Sequence, residues 1–315
     1  NLNLSYTTSP DYLEEVEQYG FNYVFPWYWG KAWINTYYSS SNVDSGTIAE
    51  SFDVTGSGEN YGVHYLQYLP KGQKYEHWLD FGIDNRLFES ELSFAGFPNT
   101  SGAGAFEDTT QIRSVPVGIM YRGEYPFTSG KSTFHLQYVI NTPLDSQNDD
   151  KGYSRDGSSQ ARQDWNALRY GFSINGGFSG WALRLNVAGQ YSDNRLISGE
   201  QFGLGGSQSI RGYEERETSV DMGNFANLEL YTPVWMKTIG VVFFDYGEGE
   251  LRKFRSEDNE RYYKLSSAGL GVRWQWHKKA FFSLDIAHAF EDATGSGTGT
   301  EKDEQAVHAN LLLSW

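Results

Sequence analysis

One segment of the chain combines glycines, an arginine and an aromatic residue in a pattern that could form a binding site. It reads Leu204-Gly205-Gly206-Ser207-Gln208-Ser209-Ile210-Arg211-Gly212-Tyr213 and follows Gly203. The clustered glycines permit positive φ angles and close approach of another backbone. They do not have the G-x-G-x-x-G spacing of a dinucleotide site, and no helical pattern follows them. The segment therefore predicts a shaped loop around a fixed cation, Arg211, and excludes a nucleotide site.

The histidines and carboxylates show no catalytic or metal-binding pattern. No H-E-x-x-H motif occurs, and the histidines fall on different predicted strands: His64, His77, His135, His277, His288 and His308. His288 is near Asp285 and Asp292 and could be interpreted as a site, although a polar residue lining a barrel is the simpler interpretation. The carboxylates Glu214, Glu215 and Glu217 give no specific acid–base pair. We therefore predict no enzymatic activity, no cofactor and no metal.

Alternation of apolar and polar side chains dominates the rest of the chain. In Trp181–Tyr191, for example, apolar residues at odd positions are separated by polar ones such as Arg184 and Asn186. This period of two predicts β-strands. About fourteen such segments can be placed, each about ten residues long. They lie near 1–8, 17–28, 31–41, 58–69, 75–88, 110–125, 131–142, 165–178, 181–193, 224–235, 239–248, 264–277, 280–290 and 305–315.

The connections between the predicted strands alternate between short and long. Acidic residues concentrate in the long connections, whereas the charges in the short ones are all lysines: Lys71, Lys74, Lys237, Lys278 and Lys279. Short periplasmic turns and long outer loops are typical of an outer-membrane barrel. The fold predicted is therefore all-β, a transmembrane antiparallel β-barrel with long acidic extracellular loops. Aromatic clusters beside two short turns suit its interfacial girdle: Tyr23, Phe25, Trp27, Tyr28, Trp29, Trp274 and Trp276.

The composition sets further limits on the class of protein. The 315-residue chain has a net charge of −15 at pH 7, 35 glycines and no cysteine. A negative chain is unsuited to nucleic acid, whose phosphates require a basic surface. No stretch approaches the roughly 18 apolar residues of a membrane helix. This does not exclude a membrane barrel, because apolar and polar residues alternate along its strands. Because the chain begins at Asn1 without a signal peptide, we expect a mature or trimmed chain.

Three segments resemble a known group of outer-membrane proteins. Leu204–Tyr213 resembles the V-R-G-F/Y loop motif of the outer-membrane assembly-factor superfamily. Phe243-Phe244-Asp245-Tyr246-Gly247 is similar to its F-x-D-x-G strand, and Ser267–Trp274 is similar to the strand after that. The run Glu200–Gly206 looks most like the two-partner secretion transporters within this superfamily. The resemblance is specific over residues 200–315 and looser over 1–199.

The resemblance implies that one loop has a functional role. It implies that the loop near residues 194–223 folds back into the lumen of a single barrel domain, 1–315. Arg211 would then pair with Asp245 on the inner wall, beside Gly247. A charged side chain on the lipid face is energetically costly, so Asp245 is expected to face the lumen. Val242, Phe244 and Tyr246 would then face the bilayer. The functional motif of the loop would comprise Gly205, Gly206, Ile210, Arg211, Gly212 and Tyr213.

Two departures and one terminal feature accompany this resemblance. The family barrel has about sixteen strands, an even number as in other bacterial barrels, so we expect the first strands to precede Asn1. The periplasmic POTRA domains that capture a secreted partner in the family are expected upstream, outside this chain. Trp315 ends an alternating strand and resembles the assembly signal of outer-membrane barrels.

The predicted function is a pore that exports a large, unfolded partner protein by two-partner secretion. Its expected partners are that secreted protein, outer-membrane lipids and lipopolysaccharide, and the barrel-assembly machinery during biogenesis. We expect a monomer that binds no nucleic acid. Two alternatives stay open: an assembly or insertion factor for other barrel proteins, and a general porin whose constriction loop is the 194–223 segment.

Overall fold

The computed structural model describes residues 1–8, 17–41, 47–49, 52–53, 57–91, 109–154, 160–253, 261–277, 279–293 and 299–313. Their strands are β1 (Leu2–Thr8), β2 (Glu17–Trp27), β3 (Ala32–Ser41), β4 (Thr47–Ala49), β5 (Phe52–Asp53), β6 (Ser57–Tyr68), β7 (Glu76–Glu91), β8 (Thr109–Ser114), β9 (Pro116–Phe127), β10 (Gly130–Asn141), β11 (Asn166–Phe178), β12 (Trp181–Tyr191), β13 (Phe202–Leu204), β14 (Thr218–Val220), β15 (Met222–Tyr231), β16 (Thr238–Glu250), β17 (Tyr262–His277), β18 (Ala280–Ala289) and β19 (Gln305–Leu313).

Most of these strands form one antiparallel meander. Its order is β1-β2-β3-β6-β7-β9-β10-β11-β12-β15-β16-β17-β18-β19, so each strand pairs with its neighbours in the chain, as hairpins require. These fourteen positions agree with the number of strands predicted from alternation. The sequence segment 110–125 is divided into β8 and β9, which keep one register against β7. The division falls at Val115, because Pro116 has no N–H and the Val115 N–H donates to the Asn141 side chain at 2.8 Å.

The two faces of the sheet have opposite character. On β16 the side chains of Val242 and Phe244 are 52% and 46% exposed, whereas those of Phe243 and Asp245, at the alternate positions, are buried. Apolar side chains are exposed in the same way on most other strands, including Leu136, Leu183 and Leu311. Because a soluble sheet buries its apolar face, this inverted pattern is the one expected of a sheet whose outer face meets lipid.

The short connections form tight turns at the predicted places. Ser179 and Gly180 join β11 to β12 with φ angles of 49° and 84°. Positive φ at both central residues is characteristic of the type I′ turn, whose twist matches that of paired strands. Lys31, Met236 and Lys237 also have positive φ in short connections. The turn geometry therefore agrees with the alternation of short and long connections in the sequence.

Residues 192–221, here called the inserted loop, connect β12 to β15 and lie against the polar inner face. The loop contacts β7 through Arg86 and β19 through His308, so the sheet curves around it. It contains a 3-10 turn at Ser198–Glu200 and the hairpin β13–β14, which the sequence analysis did not predict because three-residue strands are too short to show alternation. No helix in the described ranges is long and apolar enough to span a membrane.

Candidate functional site

Asp221 ties together the two ends of the inserted loop. Its carboxylate is fully buried and accepts hydrogen bonds from the N–H groups of Leu196 and Arg252, at 2.8 and 2.7 Å. Gln201 donates to the same group at 3.0 Å. A buried carboxylate needs such donors to offset its lost hydration. Asp221 therefore fixes the point where the chain leaves the wall and returns to it.

Two glycines shape the tip of the loop beyond β13. Gly205 and Gly206 have φ angles of 107° and 97°, a region that favours glycine. A Cβ on Gly205 would lie 2.6 Å from the carbonyl oxygen of Glu214, so a side chain does not fit there. The N–H of Gly206 donates to the carbonyl of Ile210 at 3.1 Å, which closes the turn that presents Arg211.

Arg211 lies against Asp245 with both partners buried. Its Nε and Nη2 atoms donate to the two carboxylate oxygens of Asp245, each at 2.8 Å, and its backbone N–H donates to Oδ2 at 3.1 Å. Arg211 is 5% exposed and Asp245 is completely buried. This fork geometry is the strong bidentate form of an arginine–carboxylate pair. The contact implied by the resemblance is thus present, and it joins the loop tip to β16.

Two more carboxylates and one ring complete the tip cluster, defined as Arg211, Asp245, Glu229, Asp285 and Phe243. Nη1 of Arg211 donates to Glu229 at 2.7 Å and lies 3.5 Å from Asp285. The guanidinium Cζ lies 3.5 Å from the centre of the Phe243 ring. Burial lowers the pKa of Arg211, but the hydrogen bonds and charges of Asp245 and Glu229 outweigh burial and raise it, so the arginine stays charged.

Small residues on the wall leave room for the residues on either side of Arg211. A Cβ on Gly247 would lie 2.4 Å from Cδ1 of Ile210, so glycine at this place on β16 makes room for a fully buried isoleucine. Gly212 has a φ of 98°, and a Cβ there would lie 3.4 Å from the Cβ atoms of Ser267 and Ala287. The motif therefore depends on close approach between loop and wall at two glycines.

Tyr213 fixes the loop to the wall near the start of β17 and just beyond the end of β18. Its ring is 1% exposed, and its hydroxyl donates to the carbonyl of Ser266 or that of Glu291, both 3.0 Å away. The same hydroxyl accepts from the N–H of Glu291 at 3.2 Å. Burial raises the pKa of Tyr213, which keeps the hydroxyl protonated as a donor.

A second ionic cluster, which the sequence analysis missed, surrounds Glu200. This carboxylate is 1% exposed and accepts from Arg86, Arg169 and Ser114 at 3.0, 2.8 and 2.6 Å. Its partners come from β7, β11 and β8. No local sequence pattern identifies these residues, because only folding brings such distant positions together. For the same reason, the contacts of Glu229 and Asp285 with Arg211 were not predicted.

The histidines do not assemble into a site in the described residues. His288 contacts Asp303 at 3.3 Å, whereas Asp285 pairs with Arg273 at 2.6 Å, so the arrangement of His288 with Asp285 and Asp292 is not formed. Among the residues with described positions, no three His, Asp or Glu side chains converge as metal ligands. Trp315, the predicted assembly signal, lies outside the described residues.

The sequence is similar to proteins of one secretion family. The profile of the haemolysin secretion/activation proteins ShlB/FhaC/HecB matches residues 109–274, more than half of the chain. The heme/hemopexin transporter protein HuxB of Haemophilus influenzae strain 86-028NP is 26% identical over 260 residues, which cover 74% of this chain and 46% of that protein. A second HuxB from H. influenzae is 32% identical over 99 residues, 29% of this chain and 18% of that protein. The chain thus spans less than half the length of these relatives.

The fold is similar to that of solved outer-membrane barrels. CdiB from Escherichia coli matches with a TM-score of 0.72 at 15% identity, covering 98% of this chain and 55% of that one. CdiB from Acinetobacter baumannii has a TM-score of 0.70 at 16% identity, with 100% and 53% covered. BamA from Haemophilus ducreyi lacking POTRA domains 1-3 has a TM-score of 0.64 at 14% identity, with 99% and 64% covered. The chain is a β-barrel protein of the bacterial outer membrane and belongs to the ShlB/FhaC/HecB family of haemolysin secretion/activation proteins.

Proposed function

We propose that this chain is a single barrel domain, residues 1–315, that exports a large partner protein in unfolded form by two-partner secretion. The inserted loop folds into the lumen and closes the pore in its resting state. The observation that carries this proposal is the tip cluster, in which one loop arginine meets three carboxylates of the wall. A loop fastened by such a cluster is held inside the barrel until those contacts break.

The polar inner face of the sheet suits the passage of an unfolded chain. Hydroxyl and amide side chains pair across the inner face, as in Asn22 with Asn35 at 2.7 Å and Thr133 with Ser173 at 2.9 Å. Such a surface offers little apolar area to which a translocating chain could adhere. Transport needs no nucleotide, because folding of the partner outside the cell can supply the direction.

The charge pattern of the sequence supports the proposed membrane setting. We propose that the long acidic connections face outward, where divalent cations bridge them to anionic lipopolysaccharide, and that the short lysine-bearing turns face the periplasm. Exposed Trp27 and Trp274 lie at the short-turn end of their strands and contact the lipid interface. The barrel-assembly machinery inserts the chain, and the pore acts as a monomer.

A loop deletion tests the proposal directly. Leu204 and Thr218 are paired across β13–β14, so Gly205–Glu217 can be replaced by Asn-Gly with little change to the hairpin. In planar bilayers the wild type should give low, flickering conductance, and the deletion variant should give large, stable conductance. Circular dichroism of both proteins checks that the barrel is folded.

Two results would argue against the proposal in different ways. High and steady conductance in the wild type and the deletion variant would place the loop outside the lumen and support a general porin. The second result combines two observations: the pore opens on deletion, but a variant whose loop is crosslinked to β16 still secretes the family partner normally. That combination would show that the plug need not move during export.

A further inference from the structure

We propose that Glu200 is a second latch of the inserted loop, fastened to a different arc of the wall from Arg211, so that the pore opens in two steps. This inference rests on the proposed function, because it requires the loop to close the lumen. The base latch is defined here as Glu200 with Arg86, Arg169 and Ser114. The tip cluster, defined above, is the first latch.

The base latch has the geometry of a strong ionic contact. One carboxylate oxygen of Glu200 accepts from Arg86 at 3.0 Å and from Arg169 at 2.8 Å, and the other accepts from Ser114. The Glu200 side chain is completely buried, whereas the two arginine side chains keep about a fifth of their surface exposed, 21% and 22%. Charged hydrogen bonds to a buried acceptor are stronger than neutral ones. The contact therefore holds residues 198–200 against the wall.

The wall side of this latch is held in place without the loop. Arg86 also donates to Asp84 at 2.9 Å, and Asp84 accepts from His64 at 3.0 Å and from the hydroxyl of Tyr37 at 2.7 Å. These partners lie on β3, β6 and β7. Because Arg86 keeps its orientation when Glu200 leaves, the receptor is preorganised for the loop to return.

Apolar packing supports the same part of the loop. Leu196 and Ile197 are buried in a cluster with Phe88, Val139 and Trp165 of the wall. Gly199 passes so close to Phe88 that a Cβ would lie 2.3 Å from its ring. Residues 194–200 therefore have their own core, separate from the cluster around Ile210 and Tyr213.

The two latches contact different strands. The described partners of the Glu200 carboxylate lie on β7, β8 and β11, and those of the Arg211 guanidinium lie on β15, β16 and β18. Interactions that share no partner contribute independently. Loss of the tip contacts should thus release residues 205–217 while residues 194–200 stay on the wall, which leaves a partly open pore.

A mutant cycle in planar bilayers tests this independence. Glu200→Gln keeps the side-chain volume, and we expect the open fraction to rise roughly 10- to 100-fold, as loss of a charged hydrogen bond implies. Combined with Arg211→Ala, the two factors should multiply, and the conductance should exceed that of the Gly205–Glu217 deletion, which leaves the base latch in place. In a background that carries both Arg86→Gln and Arg169→Gln, Glu200→Gln should have little further effect, because both charged donors are already gone. Glu124→Gln, which removes a carboxylate paired with Lys131 on the short-turn side, is the charge-matched control.

A distance measurement separates failure of this inference from failure of the proposed function. The chain has no cysteine, so spin labels can be placed on exposed Ser198, Gln208 and Lys131. Glu200→Gln should broaden the 131–198 distance and leave the 131–208 distance narrow, and Arg211→Ala should do the reverse. An unchanged 131–198 distance in folded Glu200→Gln and Arg169→Gln would overturn the second latch. Broadened distances with unaltered conductance would instead overturn the plug.

Discussion

Replacement of Arg211 by alanine is the sharpest perturbation of the tip cluster. The change removes two hydrogen bonds to Asp245 at 2.8 Å, one to Glu229 at 2.7 Å and the contact with the Phe243 ring. It leaves Asp245 fully buried, with Asn227 as a remaining side-chain donor at 2.9 Å. Removing one partner of a buried pair typically costs about 3–5 kcal/mol. In the proposed function the contact exists only when the loop is seated, so this cost falls on the closed state.

The expected effect on the pore follows from that energy. Each 1.4 kcal/mol is a tenfold change, so the ratio of closed to open states should fall by roughly 150- to 4,000-fold. Single-channel recordings measure the fraction of time that the pore is open, from which this ratio is calculated. Arg122→Ala is the matched control, since it removes the same charge from a residue whose described partner is the Trp78 ring on the wall. Arg211→Lys should fall between wild type and alanine, because lysine keeps the charge but loses the fork.

One outcome would refute this reasoning about Arg211. If folded Arg211→Ala had the wild-type open fraction and a label on Gln208 stayed immobile, the ion pair would add nothing to closure. The desolvation of Arg211 and its carboxylates would then cancel their attraction, as occurs for some buried ion pairs. Apolar packing of Ile210 and Tyr213 would remain as the force that seats the loop.

Three further substitutions rank the other contacts of the loop tip. Gly212→Ala puts a side chain at a φ of 98° and 3.4 Å from Ser267 and Ala287, so we expect a cost of roughly 1–3 kcal/mol and faster proteolysis of the loop. Gly247→Val occupies the space of Ile210, which should raise the open fraction in bilayers; a value equal to wild type would show that Ile210 can repack. Tyr213→Phe loses one hydrogen bond donated to Ser266 or Glu291 and one accepted from the N–H of Glu291, about 0.5–1.5 kcal/mol each, and should open the pore less than Arg211→Ala does.

The strand order could be predicted from the sequence because it depends on local properties. Alternation along β12 and β16 identifies the face that each side chain occupies, and tight turns such as Ser179–Gly180 require antiparallel neighbours. The pairing of Arg211 with Asp245 was available only through resemblance to a family, since 34 residues separate the two in the chain. The hairpin β13–β14 was not foreseen, because its three-residue strands are stabilised by the surrounding wall and not by their own pattern.

The sequence by itself determined that this protein is an antiparallel barrel with an apolar outer face and one glycine-rich loop around an arginine. Those features depend on side-chain type, period and turn chemistry, which are local. Tertiary structure alone decided that Glu229 and Asp285 join Asp245 around Arg211, and that Glu200 meets Arg86 and Arg169 on another arc of the wall. These contacts arise because the sheet curves around the loop, which brings inward-facing residues from distant strands to a single charged group.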